Sequence, residues 1–478
     1  MYRLTNQWAV GILKWQFVPA LLGVAAGTAA ILTCLLALTL VFGRVYCSTL
    51  CPLGVYQDIV RRIANLFRSK KRRRLKYGKP HHLVRYLTLG AVIIFCILGN
   101  STLLLKLDPY SNFGRMAANL LQPVIIWSGN MLSDIFPSVP YQDFRTFTVG
   151  TCLFAAMVFV VITILSALRG RLYCNTICPV GSLLGLFSRY ALFRFSFDND
   201  ACTRCAICVR KCKGQCIDVP AQSVDASRCV QCYNCVTACS SQGIRYRFAY
   251  GKKRTAVQKN DIVRRRLFIG TLGGIAVAGV ARTFTRPWRS STSNTKALTP
   301  PGSRSLDHFK LHCTACHACV AGCPSKVLRP AMNEYGMDGL MLPVMDYNAS
   351  FCNYECNVCS QICPNGAITP LTKEEKVLTQ IGTARFTAER CVVVLNETDC
   401  GACDEHCPVK AIRMTPFRDG LLIPQVDTSI CIGCGGCEYI CPARPEKAIQ
   451  VTANAVHQTA QPITDDMQDK VEVDDFGF

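Results

Sequence analysis

Long uncharged stretches in the first part of the chain predict membrane helices. Val18–Phe42 and Phe147–Leu168 carry no charge, and Leu83–Leu105 carries a single Arg near its start. Each is long enough to cross a hydrocarbon core of about 30 Å, which takes roughly 20 apolar residues in a helix. The shorter Gly- and Ala-rich stretch Leu267–Ala281 is predicted to be a fourth span. Met116–Phe136 contains Pro, Gly, Asn and Asp, so we interpret it as an amphipathic or re-entrant segment.

Basic residues predict the orientation of these helices. Arg61–Lys79 holds ten Lys or Arg in 19 residues and Arg245–Arg266 holds nine in 22, whereas Asp108–Asp143 is poor in them. By the positive-inside rule both basic runs are cytoplasmic, so Cys202–Cys239 is cytoplasmic and the chain after Arg282 lies outside. The N-terminus then lies outside, which suggests a missing upstream span or a different packing of the first helices. Both runs border predicted spans, so we expect no nucleic-acid partner.

Composition excludes two classes of protein, and the cysteines point to a third. The 478 residues are 50% hydrophobic, with a net charge of +22 and 32 cysteines. Disorder requires low hydrophobicity, and disulfide-stapled secreted domains are short, so neither class fits. Twenty-five of the 32 cysteines lie between Cys202 and Cys441, and their spacing indicates metal clusters.

One pair of cysteine runs has the spacing Cys-x2-Cys-x2-Cys-x3-Cys of two-cluster bacterial ferredoxins. In that arrangement three close thiolates bind one [4Fe–4S] cluster, and the fourth cysteine of the run crosses to the other cluster. We therefore predict one cluster on Cys202, Cys205, Cys208 and Cys239, and a second on Cys229, Cys232, Cys235 and Cys212. Cys216, four residues after Cys212, is interpreted as a packing residue.

A later group of sixteen cysteines forms four runs that each end in Cys-Pro, two of them widened after their first cysteine. Pairing neighbouring runs predicts four more clusters, on Cys313, Cys316, Cys319 and Cys363; on Cys352, Cys356, Cys359 and Cys323; on Cys391, Cys400, Cys403 and Cys441; and on Cys431, Cys434, Cys437 and Cys407. Zinc is the main alternative, but zinc sites come as separated pairs of ligands. The segment Cys313–His317 also matches a c-type haem attachment pattern, although a haem would leave Cys319 and Cys323 without a role.

A repeat near the predicted spans carries the remaining motif, Gly-Arg-x-Tyr-Cys-x3-Cys-Pro. Gly43–Gly54 and Gly170–Gly181 are identical at eight of twelve positions. Cysteines four residues apart share one helical face, so the two copies offer four thiols, those of Cys47, Cys51, Cys174 and Cys178. They would hold a seventh cluster beside the six expected ones, while a redox-active dithiol pair or turns closed by Pro and Gly stay open as alternatives. We expect Cys34, Cys96 and Cys152 to be buried apolar thiols.

Two parts of the chain resemble known redox proteins. Residues 15–250, with both Gly-Arg-x-Tyr-Cys-x3-Cys-Pro motifs and the ferredoxin-type pair, resemble NapH, a membrane subunit of periplasmic nitrate reductase systems. Residues 262–455, with the twin-Arg segment Arg264–Ile269 and four predicted clusters, resemble NapG and the methylamine-utilisation ferredoxin MauM. These are usually separate polypeptides, and here they are fused. The resemblance implies oxidation of membrane quinol and delivery of electrons to a periplasmic reductase.

Together the motifs predict an α-helical membrane bundle joined to α+β bacterial-type ferredoxin domains, one cytoplasmic and two in tandem outside a bacterial inner membrane. The predicted domains are a membrane module (residues 1–195), a cytoplasmic ferredoxin (196–250), a basic linker with a membrane anchor and a Ser/Thr/Pro stretch (251–300), a four-cluster polyferredoxin (301–460) and an acidic tail (461–478).

The leading functional hypothesis is a quinol dehydrogenase subunit whose partners are the lipid and quinol pool and a periplasmic reductase or other redox protein. Quinol oxidation needs a proton acceptor, and Asp58, His81, His82 and Asp108 are candidates by residue type, although helix-end or headgroup contacts would also explain them. One alternative is a maturation factor for a client metalloenzyme. Another is a transmembrane electron bridge without quinol, for which the sequence shows no mid-membrane cofactor site.

Overall fold

The computed structural model describes residues 11, 13–23, 28–69, 74–98, 101–136, 141, 144, 149–198, 200–250 and 297–462. The predicted fourth span Leu267–Ala281, the twin-Arg segment and residues 463–478 of the acidic tail lie outside the described residues. We call residues 13–188 the helical module, residues 193–250 the first ferredoxin domain and residues 297–462 the C-terminal module.

The helical module consists of helices joined by short connections. Proline stands at the first position of three of these helices, where its missing N–H costs no intrahelical bond. The helices are Phe17–Leu22, Ala29–Phe42, Tyr46–Thr49, Pro52–Leu66, His82–Ile97, Thr102–Leu107, Pro109–Met116, Gln122–Ser133, Val149–Arg169, Leu172–Thr176 and Pro179–Ser188, with a π-helical turn at Ala117–Leu121.

Among the described residues one helix, Val149–Arg169, is long and apolar enough to cross a membrane, with 21 residues and a mean hydropathy of 2.6. The other two predicted spans within the described residues are interrupted. Val18–Phe42 divides at Gly23, where the helix Phe17–Leu22 ends. Leu83–Leu105 divides between His82–Ile97 and Thr102–Leu107. Ala29–Phe42 and His82–Ile97 have 14 and 16 residues, so two further continuous spans are not confirmed.

Three cysteines of the helical module differ from expectation in their burial. Cys34 and Cys96 are exposed and Cys152 is half-buried, so the prediction of buried thiols is wrong for the first two. They lie on helix faces that the rest of the chain does not cover. Hydrophobicity along the chain predicts an apolar environment, but it does not distinguish a protein interior from an uncovered apolar face.

The first ferredoxin domain consists of two antiparallel hairpin-like pairs. Strand β1 (Phe193–Phe197) pairs with β4 (Ile244–Phe248), and β2 (Ile217–Asp218) pairs with β3 (Ser223–Val224). Two short helices, Ile207–Lys211 and Asn234–Thr237, follow the cysteine loops. β1 starts before the predicted boundary at residue 196, because its aromatic residues pack against β4.

The C-terminal module contains two central hairpins of this kind and one long strand pair, around one continuous hydrophobic core. Central hairpins form from β5 with β6 and from β8 with β9, and the long strands β7 and β10 pair antiparallel. The strands are β5 (Leu328–Pro330), β6 (Pro343–Met345), β7 (Thr379–Phe386), β8 (Ile412–Pro416), β9 (Leu422–Val426) and β10 (Ile449–Thr459). The helices are Leu306–His312, Ala318–Gly322, Val358–Ile362, Lys373–Leu378, Val392–Asn396, Ala402–Glu405 and Gly436–Ile440, with 3-10 turns at Met337–Gly339 and Ala388–Arg390.

The C-terminal module begins before its predicted start at residue 301. Ala297 and Leu298 are buried in its core, and the Met345 N–H donates to the Leu298 carbonyl at 3.1 Å. The last residues of the predicted Ser/Thr/Pro linker are therefore part of the fold, because the burial of a few apolar residues outweighs a linker-like composition.

The two cysteine-rich parts pack against opposite ends of the helices. The first ferredoxin domain contacts the end of Ala29–Phe42 and the start of His82–Ile97, through hydrogen bonds from Tyr246 Oη to the Phe42 carbonyl (3.1 Å) and from Arg85 Nη2 to the Ser227 carbonyl (2.9 Å). The C-terminal module contacts the other ends, through hydrogen bonds from Thr102 Oγ1 to the Asp338 carbonyl (3.5 Å) and from Gln122 Nε2 to the Ala321 carbonyl (3.0 Å). The helical module thus separates them.

Candidate metal-cluster sites

Three cavities in the C-terminal module are each lined by four cysteines that the spacing grouped together. Apolar side chains and backbone make up most of the remaining walls. One cavity is lined by Cys313, Cys316, Cys319 and Cys363, the second by Cys391, Cys400, Cys403 and Cys441, and the third by Cys407, Cys431, Cys434 and Cys437. Each set therefore combines three cysteines of one run with the last cysteine of its neighbour.

The other ferredoxin-type sets are also brought together. The Cys359 thiol is close enough for electrostatic interaction with those of Cys352, Cys356 and Cys323. In the first ferredoxin domain, Cys208 is near Cys205 and Cys239, and Cys235 is near Cys212, Cys229 and Cys232. Cys202 packs against the same core as these thiols. The buried Cys216 lies beside the second of these sets, with its Sγ 3.6 Å from the Sγ of Cys212.

A shared backbone conformation shapes the loops of the four runs that are not widened. In each of them the residues before and after the second cysteine have φ between +50° and +81°; these residues are Arg204 and Ala206, Gln231 and Tyr233, Ala315 and His317, and Gly433 and Gly435. Left-handed residues next to right-handed ones curl the chain so that successive N–H groups face one concave side, an arrangement that suits an anionic group. The widened runs have Asn357 and Gly401 after the second cysteine, with φ of −117° and −112°.

The cysteine sulfurs accept hydrogen bonds from backbone N–H groups. Cys313 accepts from Ala315 at 3.4 Å, Cys363 from Ile368 at 3.4 Å and Cys407 from Ala411 at 3.2 Å. Hydrogen bonds to cluster sulfurs, together with burial, set the potential of an iron–sulfur cluster.

Burial also makes free thiolates unfavourable in these cavities. It raises the pKa of Cys352 to about 11 and the pKa values of Cys403 and Cys434 to about 12. Metal ions deprotonate coordinating thiols outright, because their charge compensates the buried anion. The donor set therefore suits a bound cationic iron core.

The geometry fits a four-iron cluster better than zinc. A zinc ion needs its ligands to meet at one point, with Zn–S distances of about 2.3 Å. Within the described ranges no three His, Cys, Asp or Glu side chains meet closely enough to hold a single ion. The thiols instead surround cavities, which suits a cubane because each thiolate binds a different iron.

The histidine of the haem-like pattern has other partners. His317 is 1% exposed, its Nε2 pairs with the Met341 carbonyl at 3.0 Å, and its Nδ1 lies 3.3 Å from Asn119 Nδ2. Both ring nitrogens are thus engaged within the protein. Together with the gathering of Cys319 and Cys363 around the same cavity, this favours a cluster over a haem.

The two copies of the Cys-x3-Cys-Pro repeat bring their four thiols together, and we call these the central thiol set. Cys178 lies within electrostatic reach of Cys174, Cys51 and Cys47. All four are buried, with exposures of 2–4%. The Cys178 Sγ accepts the Gly181 N–H at 3.3 Å, so this motif holds its sulfur as the ferredoxin-type loops do.

Two buried arginines cross between the copies. Arg44 Nη2 donates to the Cys174 carbonyl at 3.1 Å, and Arg171 Nη1 donates to the Cys47 carbonyl. Arg171 also makes a bidentate ion pair with Asp58, at 3.0 and 2.7 Å. Cations of this kind offset the negative charge that four thiolates bring to a buried site. These arginines were not among the residues predicted from the sequence to form a site, although each follows the first Gly of its repeat copy.

The four candidate proton acceptors lie in different surroundings. Asp58 is held in ion pairs at the junction with the first ferredoxin domain, and His81 and His82 are exposed at a helix start. Asp108 is 1% exposed and caps the helix Pro109–Met116, with Oδ2 accepting the Ser111 N–H at 2.7 Å. Its Oδ1 is buried, and no group in the described part of the chain hydrogen-bonds to it.

The central thiol set adjoins the first ferredoxin domain on one side. Val230 and Cys232, from the second cysteine loop of that domain, pack against the core that contains the central thiols. Arg44 Nη1 donates to the Ser227 carbonyl at 3.1 Å. The loop that carries Cys229, Cys232 and Cys235 is therefore the part of the domain nearest the central set.

On its other side the central set connects to the C-terminal module through the segment Leu107–Met116. Tyr173 Oη, beside Cys174, donates to the Leu107 carbonyl at 2.7 Å. Ser111 Oγ donates to the Thr314 carbonyl at 2.7 Å, and Arg115 Nε donates to the Ala315 carbonyl at 3.2 Å. Both acceptors lie between Cys313 and Cys316.

The sets of the C-terminal module follow one another in a fixed order. Cys319 lies within electrostatic reach of Cys359 in the next set. The Cys352 N–H donates to the Cys434 carbonyl at 2.9 Å, which joins that set to the third. Cys437 lies within reach of Cys403 in the last set. The seven sets therefore form one row, from the first ferredoxin domain through the central set to Cys391, Cys400, Cys403 and Cys441.

Two family models match the chain. A model described as "4Fe-4S binding domain" matches residues 24–74 and 151–198, which contain the two Cys-x3-Cys-Pro motifs. A model described as "4Fe-4S dicluster domain" matches residues 398–444, which contain seven of the eight cysteines of the last two sets. No solved structure matches the chain.

Several ferredoxin-type proteins are similar to this chain. NapF of Escherichia coli K12 is 27% identical over 174 residues, which cover 36% of this chain and 93% of NapF. NapG of the same strain is 27% identical over 193 residues, covering 38% and 78%. MauM of Methylobacillus flagellatus is 30% identical over 194 residues, covering 39% and 79%. The resemblance to NapH remains a prediction. The chain thus belongs to the family of ferredoxin-type iron–sulfur electron-transfer proteins that includes MauM and NapG.

Proposed function

We propose that this protein is a membrane-bound quinol dehydrogenase subunit that passes electrons through seven [4Fe–4S] clusters to a redox protein outside the cytoplasm. The observation that carries the proposal is the row of thiol sets, which runs from one end of the helices to the other. A bound [4Fe–4S] cluster accepts and donates single electrons, and its protein environment sets the potential. The described residues supply the ligands and the shielding from water.

The membrane location rests on Val149–Arg169 and on the uncovered apolar faces of the neighbouring helices. Large side chains such as Ile94, Leu98 and Leu153 have exposures of 57%, 75% and 65%. Soluble proteins rarely expose contiguous apolar surface of this kind. We propose that the helices lie in a bacterial inner membrane with the first ferredoxin domain in the cytoplasm.

Asp108 is the proposed proton acceptor for quinol oxidation. Its buried Oδ1 has no partner, and the residue lies between Tyr173, beside the central thiols, and the loop of Cys313 and Cys316. A quinol hydroxyl that donates to Oδ1 would satisfy this oxygen and place the quinol between two thiol sets. Burial raises the pKa of Asp108, which makes its carboxylate a stronger base.

The test adds a menaquinol analogue to the purified chain. Reduction of the clusters is monitored as a loss of iron–sulfur absorbance. Wild-type protein should be reduced, and Asp108→Asn should slow reduction about 10²–10⁴-fold, the usual contribution of a general base. Asn also caps helices well, so the fold should persist. Reduction by dithionite should be unchanged in the variant, and Asp134→Asn, at an exposed helix end, serves as the matched control. No reduction of wild-type protein by quinol on any timescale would reject the proposal.

A second candidate function is electron transfer across the membrane from a cytoplasmic donor without quinol. The observation that favours it is the central thiol set, because it lies between the first ferredoxin domain and the C-terminal module and would divide the distance between them. In proteoliposomes, reductant confined to the side of the first ferredoxin domain should then reduce the C-terminal module without added quinol. Cys178→Ser should abolish that transfer while leaving quinol-driven reduction of the C-terminal sets in place.

A further inference from the structure

A basic cavity lies where the helical module meets the first ferredoxin domain. It is lined by residues of both parts of the chain. Lys79 and His81 come from the segment before His82–Ile97, Arg169 and Arg171 from the end of Val149–Arg169 and the turn after it, and Arg228 from the first ferredoxin domain. Among the described residues that line it, none is Asp or Glu.

The arginine at the back of this cavity has an unused donor. Arg228 is 5% exposed, its Nε pairs with Asp225 Oδ2 at 2.7 Å, and its Nη1 donates to the Gly78 carbonyl at 2.8 Å. Its Nη2 is buried and has no hydrogen-bond partner among the described residues. A buried N–H group without a partner is unfavourable, because it has lost its hydrogen bonds to water. A ligand with oxygen acceptors would remove that cost.

The remaining cations leave the cavity positively charged. Arg171 is neutralised by Asp58, whereas Lys79 and Arg169 lie on the exposed rim. Asn175, in the second Cys-x3-Cys-Pro motif, also lines the cavity, and its Nδ2 donates to the Gly214 carbonyl at 3.0 Å. Planar guanidinium groups bind phosphate oxygens with high specificity. The lining is therefore complementary to a phosphate group.

We propose that this cavity binds the phosphate group of an anionic phospholipid. The inference rests on the proposed membrane location, because the cavity lies where Val149–Arg169 ends and where His82–Ile97 begins, next to the basic run Arg61–Lys79. Basic pockets between membrane helices on that side recognise lipid headgroups. The phosphate joins the two helix ends to the first ferredoxin domain and holds the loop with Cys229 and Cys232 against the central thiol set.

The experiment measures lipid retention by the full-length chain in nanodiscs. Native mass spectrometry compares phosphatidylcholine nanodiscs with nanodiscs that also contain phosphatidylglycerol. Wild-type protein should retain phosphatidylglycerol preferentially, and Lys79→Gln with Arg169→Gln should weaken that preference about thirtyfold, or ~2 kcal/mol, from about 1 kcal/mol for each removed cation. Arg62→Gln, which removes an exposed cation outside the cavity, is the matched control and should retain the lipid.

Two results would overturn the proposal. Equal retention by the double variant and the Arg62→Gln control would show that the cavity does not select the lipid. Inorganic phosphate that binds the chain in phosphatidylcholine nanodiscs and displaces phosphatidylglycerol at equal concentration would assign the site to a soluble ligand instead. The measurement involves no electron transfer, so its failure is distinguishable from a failure of quinol oxidation.

Discussion

The ferredoxin-type sets and the central thiol set gather four thiols by different routes. In a ferredoxin-type set such as that of Cys437, three thiols come from one short loop curled by left-handed residues, and the fourth comes from the neighbouring run. In the central set each copy of the repeat supplies one thiol from a short helical turn and one from the N-cap of the helix that follows, and Arg44 and Arg171 cross between the copies. The ferredoxin-type site is therefore largely local, whereas the central site exists only when distant helices pack.

The largest expected effect is a loss of iron, which distinguishes a cluster from a redox-active dithiol pair in the central set. Cys178→Ser should lower the iron content from about 28 to about 24 per chain, because one four-iron cluster loses a ligand. Analysis of iron and acid-labile sulfide in anaerobically purified protein measures this. Cys34→Ser, at an exposed thiol outside every set, should keep the full content. About 24 irons per chain in both the wild type and Cys178→Ser would mean that the central thiols do not bind a cluster.

A crossing arginine should contribute more to the stability of the fold than an exposed ion pair elsewhere. Arg171→Gln leaves Asp58 with Lys213 alone and removes the donor to the Cys47 carbonyl. Breaking a buried pair costs about 3–5 kcal/mol. The control Arg390→Gln breaks the exposed pair with Glu446, worth about 0–1 kcal/mol. Thermal unfolding should show a clearly lower midpoint for Arg171→Gln than for Arg390→Gln, and equal midpoints would contradict a structural role for the crossing arginine.

A glycine in a ferredoxin-type loop tests how closely that loop packs against Tyr347. Gly435 has φ of +81°, and a Cβ there would overlap the Tyr347 ring. Gly435→Ala should therefore cost about 1–2 kcal/mol for the backbone and about 1–3 kcal/mol for the overlap. The comparison variant Gly420→Ala should lose only the backbone contribution, because Gly420 has φ of +80° and open space around it. Thermal midpoints and iron content distinguish the two, and similar losses would mean that the Tyr347 contact is unimportant.

The smallest expected effect lies at the contact between the helical module and a ferredoxin-type set. The buried Tyr110 hydroxyl is hydrogen-bonded to Cys316. Tyr110→Phe removes this hydrogen bond, which is worth about 0.5–1.5 kcal/mol. The reduction potential of a cluster on that set should therefore fall by roughly 20–60 mV. Redox titration followed by electron paramagnetic resonance measures the shift. Tyr439→Phe, at a partly exposed ring, is the control, and an unchanged potential in Tyr110→Phe would show that this hydroxyl does not tune the set.

The grouping of the ferredoxin-type cysteines could be read from the sequence because it depends on local spacing. Cys313, Cys316 and Cys319 lie within seven residues, so a single loop brings them together whatever surrounds it. Burial on the helices was harder to predict. Cys34 and Cys96 lie in strongly apolar stretches, and their exposure depends on which helix faces find a partner.

The sequence by itself determined the cysteine sets, the repeat and the basic runs, because each depends on residue type and on spacing over a few residues. Only the tertiary structure decided that the central thiols meet, that Arg44 and Arg171 cross between the copies, and that Asp108 is buried with one oxygen unpaired. These features join residues that are far apart in the chain, and packing between helices and domains brings them together. The order of the seven sets arises in the same way, since each link in the row is a contact between segments that the sequence keeps apart.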